Sequence, residues 1–175
     1  MEIKQRIIQG GEELFFKYGI KSITMDTIAS HLGISKKTIY EHVGDKNNLV
    51  ELVSEAHFNK EQKNLEEIEQ NSINAIDEIF KVSIYMKQNF SKINPSLFFD
   101  IKRYHAKVWD IFNQKKHECI GGTLIRNLER GIREGYYRKE INPIILAKLR
   151  MKQVEWGFDT EAVSYTHLRA HETRH

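Results

Sequence analysis

The chain has 175 residues, 40% apolar and 29% charged, which suits one compact domain or a small domain joined to a larger one, able to bury a core and stay in solution. Its net charge of +3 is mild, so a nucleic-acid partner is open but any basic footprint must be local. A single cysteine, Cys119, excludes a disulfide framework and a cysteine-based zinc site and fits a reducing cytoplasm, while no run of about 18 apolar residues marks a membrane span and no signal-peptide-length apolar stretch opens the chain.

Two prolines and long mixtures of Lys, Glu, Ile and Leu favour an all-α protein. Ile3, Ile7, Leu14 and Tyr18 fall near helical spacing, and Gly19 ends this first helix. Gly10-Gly11 in its middle costs roughly 1 kcal/mol per glycine, which a close helix–helix approach would explain. Thr24 reads as an N-cap with Asp26 in the first turn, where the helix dipole favours negative charge. Ile23 and Ile28 occupy the two positions of a hydrophobic staple. This second helix runs to about Leu32, and Gly33 supplies the turn. Ser35 caps a third helix, with Ile34 and Ile39 repeating the staple. Two short helices across so tight a turn are the layout of a helix-turn-helix.

The third helix carries Lys36 and Lys37 in its first turn, where the dipole disfavours cations. An ordinary solvated pair is the plain reading of two lysines alone. Taken with both caps, both staples and the turn, the pair points to DNA, because the second helix of such a motif enters the major groove N-terminus first and its free N–H groups then face phosphates. Ile39 and Val43 turn inward, leaving Lys36, Lys37, Tyr40 and Glu41 outward. Ser35 and Thr38 are small hydroxyl residues suited to phosphate or base edges. Gly44-Asp45 ends the helix and caps a fourth from Lys46, whose ammonium is placed to clamp the DNA backbone from the side.

The fourth helix is long, and its charged second half, "NKEQKNLEEIEQN", reads as a solvated connector. A fifth covers about Ile73 to Phe90. Pro95 breaks the pattern and "SLFFDIKRYHAKVWDIF" resumes it. Phe112, Ile120, Leu124, Leu128 and Ile132 then make an apolar stripe, and Asn142-Pro143 starts a last helix. The aromatic wealth between Ile73 and Phe112 suggests an apolar effector pocket, with Phe80, Tyr85, Phe98, Tyr104, Trp109 and Phe112 as candidate lining; plain core is the alternative for most of them. His105, His117 and Cys119 do not combine into a metal site, since His117 and Cys119 point apart on a helix, and Cys119 reads as a small buried residue. No Gly-rich phosphate loop, Gly-x-Ser-x-Gly or His-Glu-x-x-His is present, so neither an enzyme nor a cofactor is expected.

The stretch "ITMDTIASHLGISKKTIYEHVGDKNNLV" strongly resembles the signature of the tetracycline-repressor-like (TetR) family. The pattern is met by Thr24, Ile28, Ala29, Gly33, Ser35, Thr38, Tyr40, His42, Lys46 and Leu49. The upstream "LFFKYGIKSIT" also looks like the family's first helix and exit turn, so the likeness covers about 50 residues. A weaker echo lies in "GIREGYYRKEINPIILA". Val43 stands where the family has phenylalanine, which implies a looser junction with the fourth helix.

The resemblance implies a DNA-binding domain over 1–46 and a helical effector-binding and dimerisation domain over 47–162. It implies a dimeric repressor on a palindromic operator, released by a small apolar effector. The family's DNA-contacting positions fall on Thr24, Ser35, Lys36, Lys37, Thr38, Tyr40, His42 and Lys46. A helix-turn-helix kept as a protein-interaction scaffold without ligand response is the alternative. Residues 163–175, "SYTHLRAHETRH" among them, resemble translated vector sequence joined to a truncated frame. The family pairs through its last two helices. With one helix after Pro143 and an apolar-poor tail, the expectation is that residues 163–175 are exposed and dispensable and that this chain pairs weakly or not at all.

Overall fold

The computed structural model describes residues 2–158; the expectation for 163–175 lies outside them. The described chain is helical throughout, with the order α1 (Ile3–Tyr18), α2 (Met25–Leu32), α3 (Lys36–Val43), α4 (Lys46–Gln70), α5 (Ala75–Phe90), α6 (Ser96–Tyr104), α7 (Ala106–Lys116), a π turn (His117–Gly121), α8 (Gly122–Arg133) and α9 (Pro143–Phe158).

The local signals at the N-terminus act as their chemistry requires. The Thr24 hydroxyl accepts from the Thr27 N–H, Ser35 from Thr38 and Asp45 from Asn48, so each of α2, α3 and α4 begins on a capped amide. Gly33 sits at φ 65°, the left-handed conformation that lets α2 end and the chain turn at once into α3. Both staples close: Ile23, Ile28 and Ile39 are buried and Ile34 packs against them. Gly10 and Gly11 are the close approach that the sequence suggested. A Cβ on Gly10 would lie 2.8 Å from Leu32 of α2, and one on Gly11 3.2 Å from Val53 of α4. Val43 is fully buried despite its smaller side chain.

The core is continuous. Ile7, Leu14 and Phe15 of α1 meet Ile28, Ile39 and Val43 of the next two helices, then Leu49, Val50 and Val53 of α4, then Leu97 and Ile101 of α6 and Val108 of α7. It therefore runs straight past residue 46, and α4 belongs to both halves. Truncating Ile39, which has no exposure, would cost about 2–5 kcal/mol.

Three local expectations are corrected. The second half of α4 is not a free connector: Leu65 is buried, Ile68 half-buried, and Asn64 donates to the Tyr85 hydroxyl of α5 at 2.7 Å. The segment after Pro95 is two helices, because His105 leaves helical geometry at φ −132°, ψ 60°. The stripe from Phe112 to Ile132 does not form the core face of one helix. The π turn inserts an extra residue per turn and shifts the register between Phe112 and Leu124. Thr123, Asn127 and Gly131 become the buried positions of α8, and Leu124, Leu128 and Ile132 are left half-buried.

The polar side chains of that face of α8 are hydrogen-bonded, although the Glu78 carboxylate they meet keeps one buried oxygen, Oε1, without a partner. Asn127 donates to the Ala75 carbonyl at 2.9 Å and accepts from the Tyr137 hydroxyl at 3.0 Å. Arg130 holds the buried Glu78 carboxylate at 3.0 Å, Glu134 at 2.7 Å and the Ser72 carbonyl at 2.9 Å. Glu78 titrates above the usual glutamate range, since burial outweighs its polar partners. This network joins the start of α5 to the end of α8.

Candidate nucleic-acid interface

The sequence places α3 by its apolar positions. Ile39 and Val43 are buried, which fixes the helix rotation and turns the remaining side chains outward. Ser35, Lys36, Lys37, Tyr40 and His42 are exposed and Thr38 is half-buried beside them. Thr24, the cap of α2, is exposed at the end of α2 whose first turn reaches α3 through Asp26 and Lys36. The Ser35 and Thr38 hydroxyls lie 2.8 Å apart, so each has a local partner while its remaining lone pairs face solvent. Six of the eight candidate DNA-contacting residues are thus on α3 or its cap, and a seventh, Thr24, caps the start of α2.

The two lysines differ in a way spacing could not reveal. Lys36 donates to Asp26 of α2 at 2.7 Å, and that carboxylate raises its pKa. The dipole cost of this cation is offset inside the motif, and the pair also braces α2 against α3. Asp26 has two local roles, in the first turn of α2 and as counter-ion to Lys36. A charge pair ten residues apart across a tight turn is recognisable only once the turn's geometry is known. Lys37 is different: its side chain is 87% exposed and makes only a 3.9 Å approach to Glu41. It is the cation of the first turn most available to an incoming anion.

Lys46, the eighth candidate, is not presented in the same manner. Its ammonium donates to the Ile20 carbonyl at 2.7 Å, and it is half-buried. Burial lowers its pKa, with nearby Asp100 opposing. The side chain ties the start of α4 to the loop between α1 and α2. Reaching a phosphate from there requires exchanging that one hydrogen bond.

A second feature lies behind the motif. An apolar cavity of about 80 Å³ opens between α1, α4, α5, α6, α7 and the π turn, with Phe15, Val53, Phe58, Leu97, Phe98 and Phe112 in its wall. Phe112 contacts Phe58 edge-on at 5.4 Å and Phe98 at 5.5 Å. Of the six aromatic candidates, Phe98 and Phe112 line the cavity. Trp109 stacks on Phe112 at 5.4 Å and supports the wall. The other three are corrected: Phe80 is 65% exposed on the outer side of α5, Tyr104 is half-exposed, and Tyr85 is turned to Glu61 and Asn64. Aromatic content located the region, but not which face of each helix points in.

Sequence reading missed His57, also in the wall, whose Nδ1 lies 2.9 Å from Glu12 of α1. Cys119 lines the cavity half-buried, and burial pushes its thiol up. Among the described residues no group of three His, Cys, Asp or Glu side chains is placed to hold a metal. No described helix is long and apolar enough to cross a membrane.

Capped α2 and α3 on a shared core, with a polar and cationic outer side on α3, define a helix-turn-helix joined to a larger helical domain. Residues 7–53 match the family described as bacterial regulatory proteins, tetR family. Over 136 residues the chain is 30% identical to the uncharacterized HTH-type transcriptional regulator YvaF of Bacillus subtilis (strain 168), covering 70% of this chain and 71% of that one. A TetR-family regulator from Agrobacterium tumefaciens shares the fold with a TM-score of 0.74 at 18% identity, over 89% of this chain and 84% of that chain. The regulator FadR from Bacillus subtilis, solved in complex with stearoyl-CoA, does so with 0.66 at 14% identity, over 93% and 88%. The chain belongs to the TetR family of bacterial regulatory proteins.

Proposed function

We propose that the chain is a sequence-specific DNA-binding transcriptional repressor that reads double-stranded DNA with α3. The observation that carries this is the first turn of α3. Its dipole, its exposed Ser35 and Lys37 and the half-buried Thr38 beside them face outward while Ile39 and Val43 anchor it from behind. Lys37 meets a phosphate or a base edge, Thr24, Tyr40 and His42 hold the neighbouring backbone, and Lys36 contributes through its bridge to Asp26. The regulator relatives support the reading. The scaffold alternative gives no account of an exposed lysine at a helix N-terminus.

The cavity behind the motif is the effector site of this reading. Its apolar wall suits an apolar ligand, and at about 80 Å³ it is smaller than the 300–1,000 Å³ of common ligand sites, which favours a compact one. In place of the weak pairing expected from the sequence, the chain pairs with a second copy through α9. Ile144, Ile145 and Leu149 expose more than half their surface on α9, and a second copy would cover them. That support is independent of residues 163–175.

The test is the salt dependence of binding to duplex DNA. Each phosphate contact removed flattens the slope of log K against log salt by about 0.9. Lys37→Ala should do so with unchanged thermal stability. A slope equal to wild type would remove Lys37 from the interface.

A further inference from the structure

We infer that a basic, aromatic patch on the loop between α1 and α2 and on the end of α6 is a second DNA-backbone contact, engaging phosphates that flank those read by α3. This rests on the DNA reading above and extends its footprint into the second domain.

The first observation is a charge imbalance. From Thr24 to Lys46 the reading head carries three cations, Lys36, Lys37 and Lys46, against three anions, Asp26, Glu41 and Asp45. Two of those cations already have partners, Lys36 on Asp26 and Lys46 on a backbone carbonyl. The motif that meets DNA is therefore neutral, although backbone affinity comes chiefly from cations that replace counterions. The segments 17–22 and 91–104 supply Lys17, Lys21, Lys92, Lys102 and Arg103 against Asp100 alone. All five cations are exposed. Asp100 is buried and accepts from the Lys21 backbone N–H at 2.7 Å, so its charge is held inside.

The second observation is that these segments form one surface. Lys21 Nζ donates to the Tyr104 hydroxyl at 3.4 Å and lies 5.3 Å from its ring centroid, and the Arg103 guanidinium lies 5.9 Å from the same centroid. The Asn94 side chain donates to the Lys17 carbonyl at 3.1 Å. The loop is thus fastened to α6, and an exposed tyrosine is set between two cations. Together the cations hold the Tyr104 phenol below its usual range, the Lys21 hydrogen bond first.

The third observation is continuity with the reading head. Lys21 precedes Thr24 by three residues, within about 10 Å of extended chain. The bond from Lys46 to Ile20 sets the same loop against the start of α4, directly after α3. A duplex lying on Thr24 and α3 has the loop at its edge, and long Lys and Arg side chains extend from there along the backbone. Phosphate is the chemistry that fits: Arg103 forms bidentate contacts and Lys21 point contacts, with no base edge required.

The experiment is anisotropy of the whole chain on a random-sequence duplex of about three helical turns, titrated with salt. Lys21→Ala/Arg103→Ala should flatten the slope by about 1.8, and Lys37→Ala by about 0.9. The charge-retaining pair Lys21→Arg/Arg103→Lys should keep the wild-type slope. If only Lys37→Ala flattens it, the patch is overturned and the reading head stands. If neither does, both fall. If the charge-retaining pair flattens it as much as the alanines, packing and not charge is responsible, and the inference fails. Loss of binding to phosphatidylglycerol vesicles in the alanine pair, with the DNA slope intact, would reassign the patch to a membrane surface and overturn it.

Discussion

Tyr40 follows Ile39 on α3, and the two divide the helix between fold and function. Ile39 has no exposure, whereas Tyr40 is 41% exposed. Tyr40→Phe should leave the melting temperature nearly unchanged and weaken DNA binding roughly tenfold, about one hydrogen bond to a charged acceptor. A large drop in melting temperature with normal binding would make Tyr40 a core residue instead. Glu12 shows the opposite balance. The hydrogen bond with His57 holds its carboxyl below the ordinary 4.5, although burial pushes the other way. A folded-state pKa below the unfolded one stabilises above the unfolded value, and that contribution disappears as pH falls through the folded one. Glu12→Gln should therefore cost about 1–2 kcal/mol near neutral pH, with wild type and variant converging in denaturant melts as pH falls through that lowered folded value. An equal deficit at every pH would show that the charge of Glu12 contributes nothing.

Among the elements, those set by local chemistry were readable from sequence. Thr24, Ser35 and Asp45 cap through their own side chains, and Gly33 turns by its own backbone, so α2, α3 and the start of α4 needed no tertiary knowledge. The misreadings all depend on distant partners. Nothing at His105 resembles a stop signal, yet α6 ends there. The polar residues of α8 turn inward because the π turn shifts the register and because Ala75, Tyr137 and Glu78 wait as partners. Aromatic richness likewise cannot say that Phe98 faces the cavity and Phe80 does not. The same packing makes α8 sensitive to small changes. A methyl group at Gly131 would run into the Tyr137 ring, and displacing that ring breaks its bond to Asn127. Gly131→Ala should destabilise the chain by about 1–3 kcal/mol despite a better helix propensity. A chemical melt showing a gain would mean that Tyr137 moves aside freely.

On the scale of the whole molecule, one core connects the α3 anchors to the cavity wall. Val53 and Phe58 are three and eight residues beyond Val50 on α4, and Phe15 of α1 reaches both the core and the cavity. On the proposed reading, an occupant between Phe58, Phe98 and Phe112 would press on α4 and α1, against which α2 and α3 pack, giving effector release a direct physical route. Pairing through α9 would set two reading heads on one duplex and multiply two modest half-site affinities into one strong site. Sedimentation of wild type against Leu149→Glu tests that step: the variant should be monomeric at concentrations where wild type is a dimer, and identical profiles would move the interface elsewhere. The central claim, sequence-specific reading of DNA by α3, is tested most directly by selecting bound duplexes from a randomised pool and comparing wild type with Lys37→Ala/Thr38→Ala. The account predicts that wild type enriches a two-fold symmetric motif and that the variant loses that enrichment while keeping its helical content and melting temperature. A wild-type pool no different from random sequence, or the same motif recovered by the variant, would contradict it.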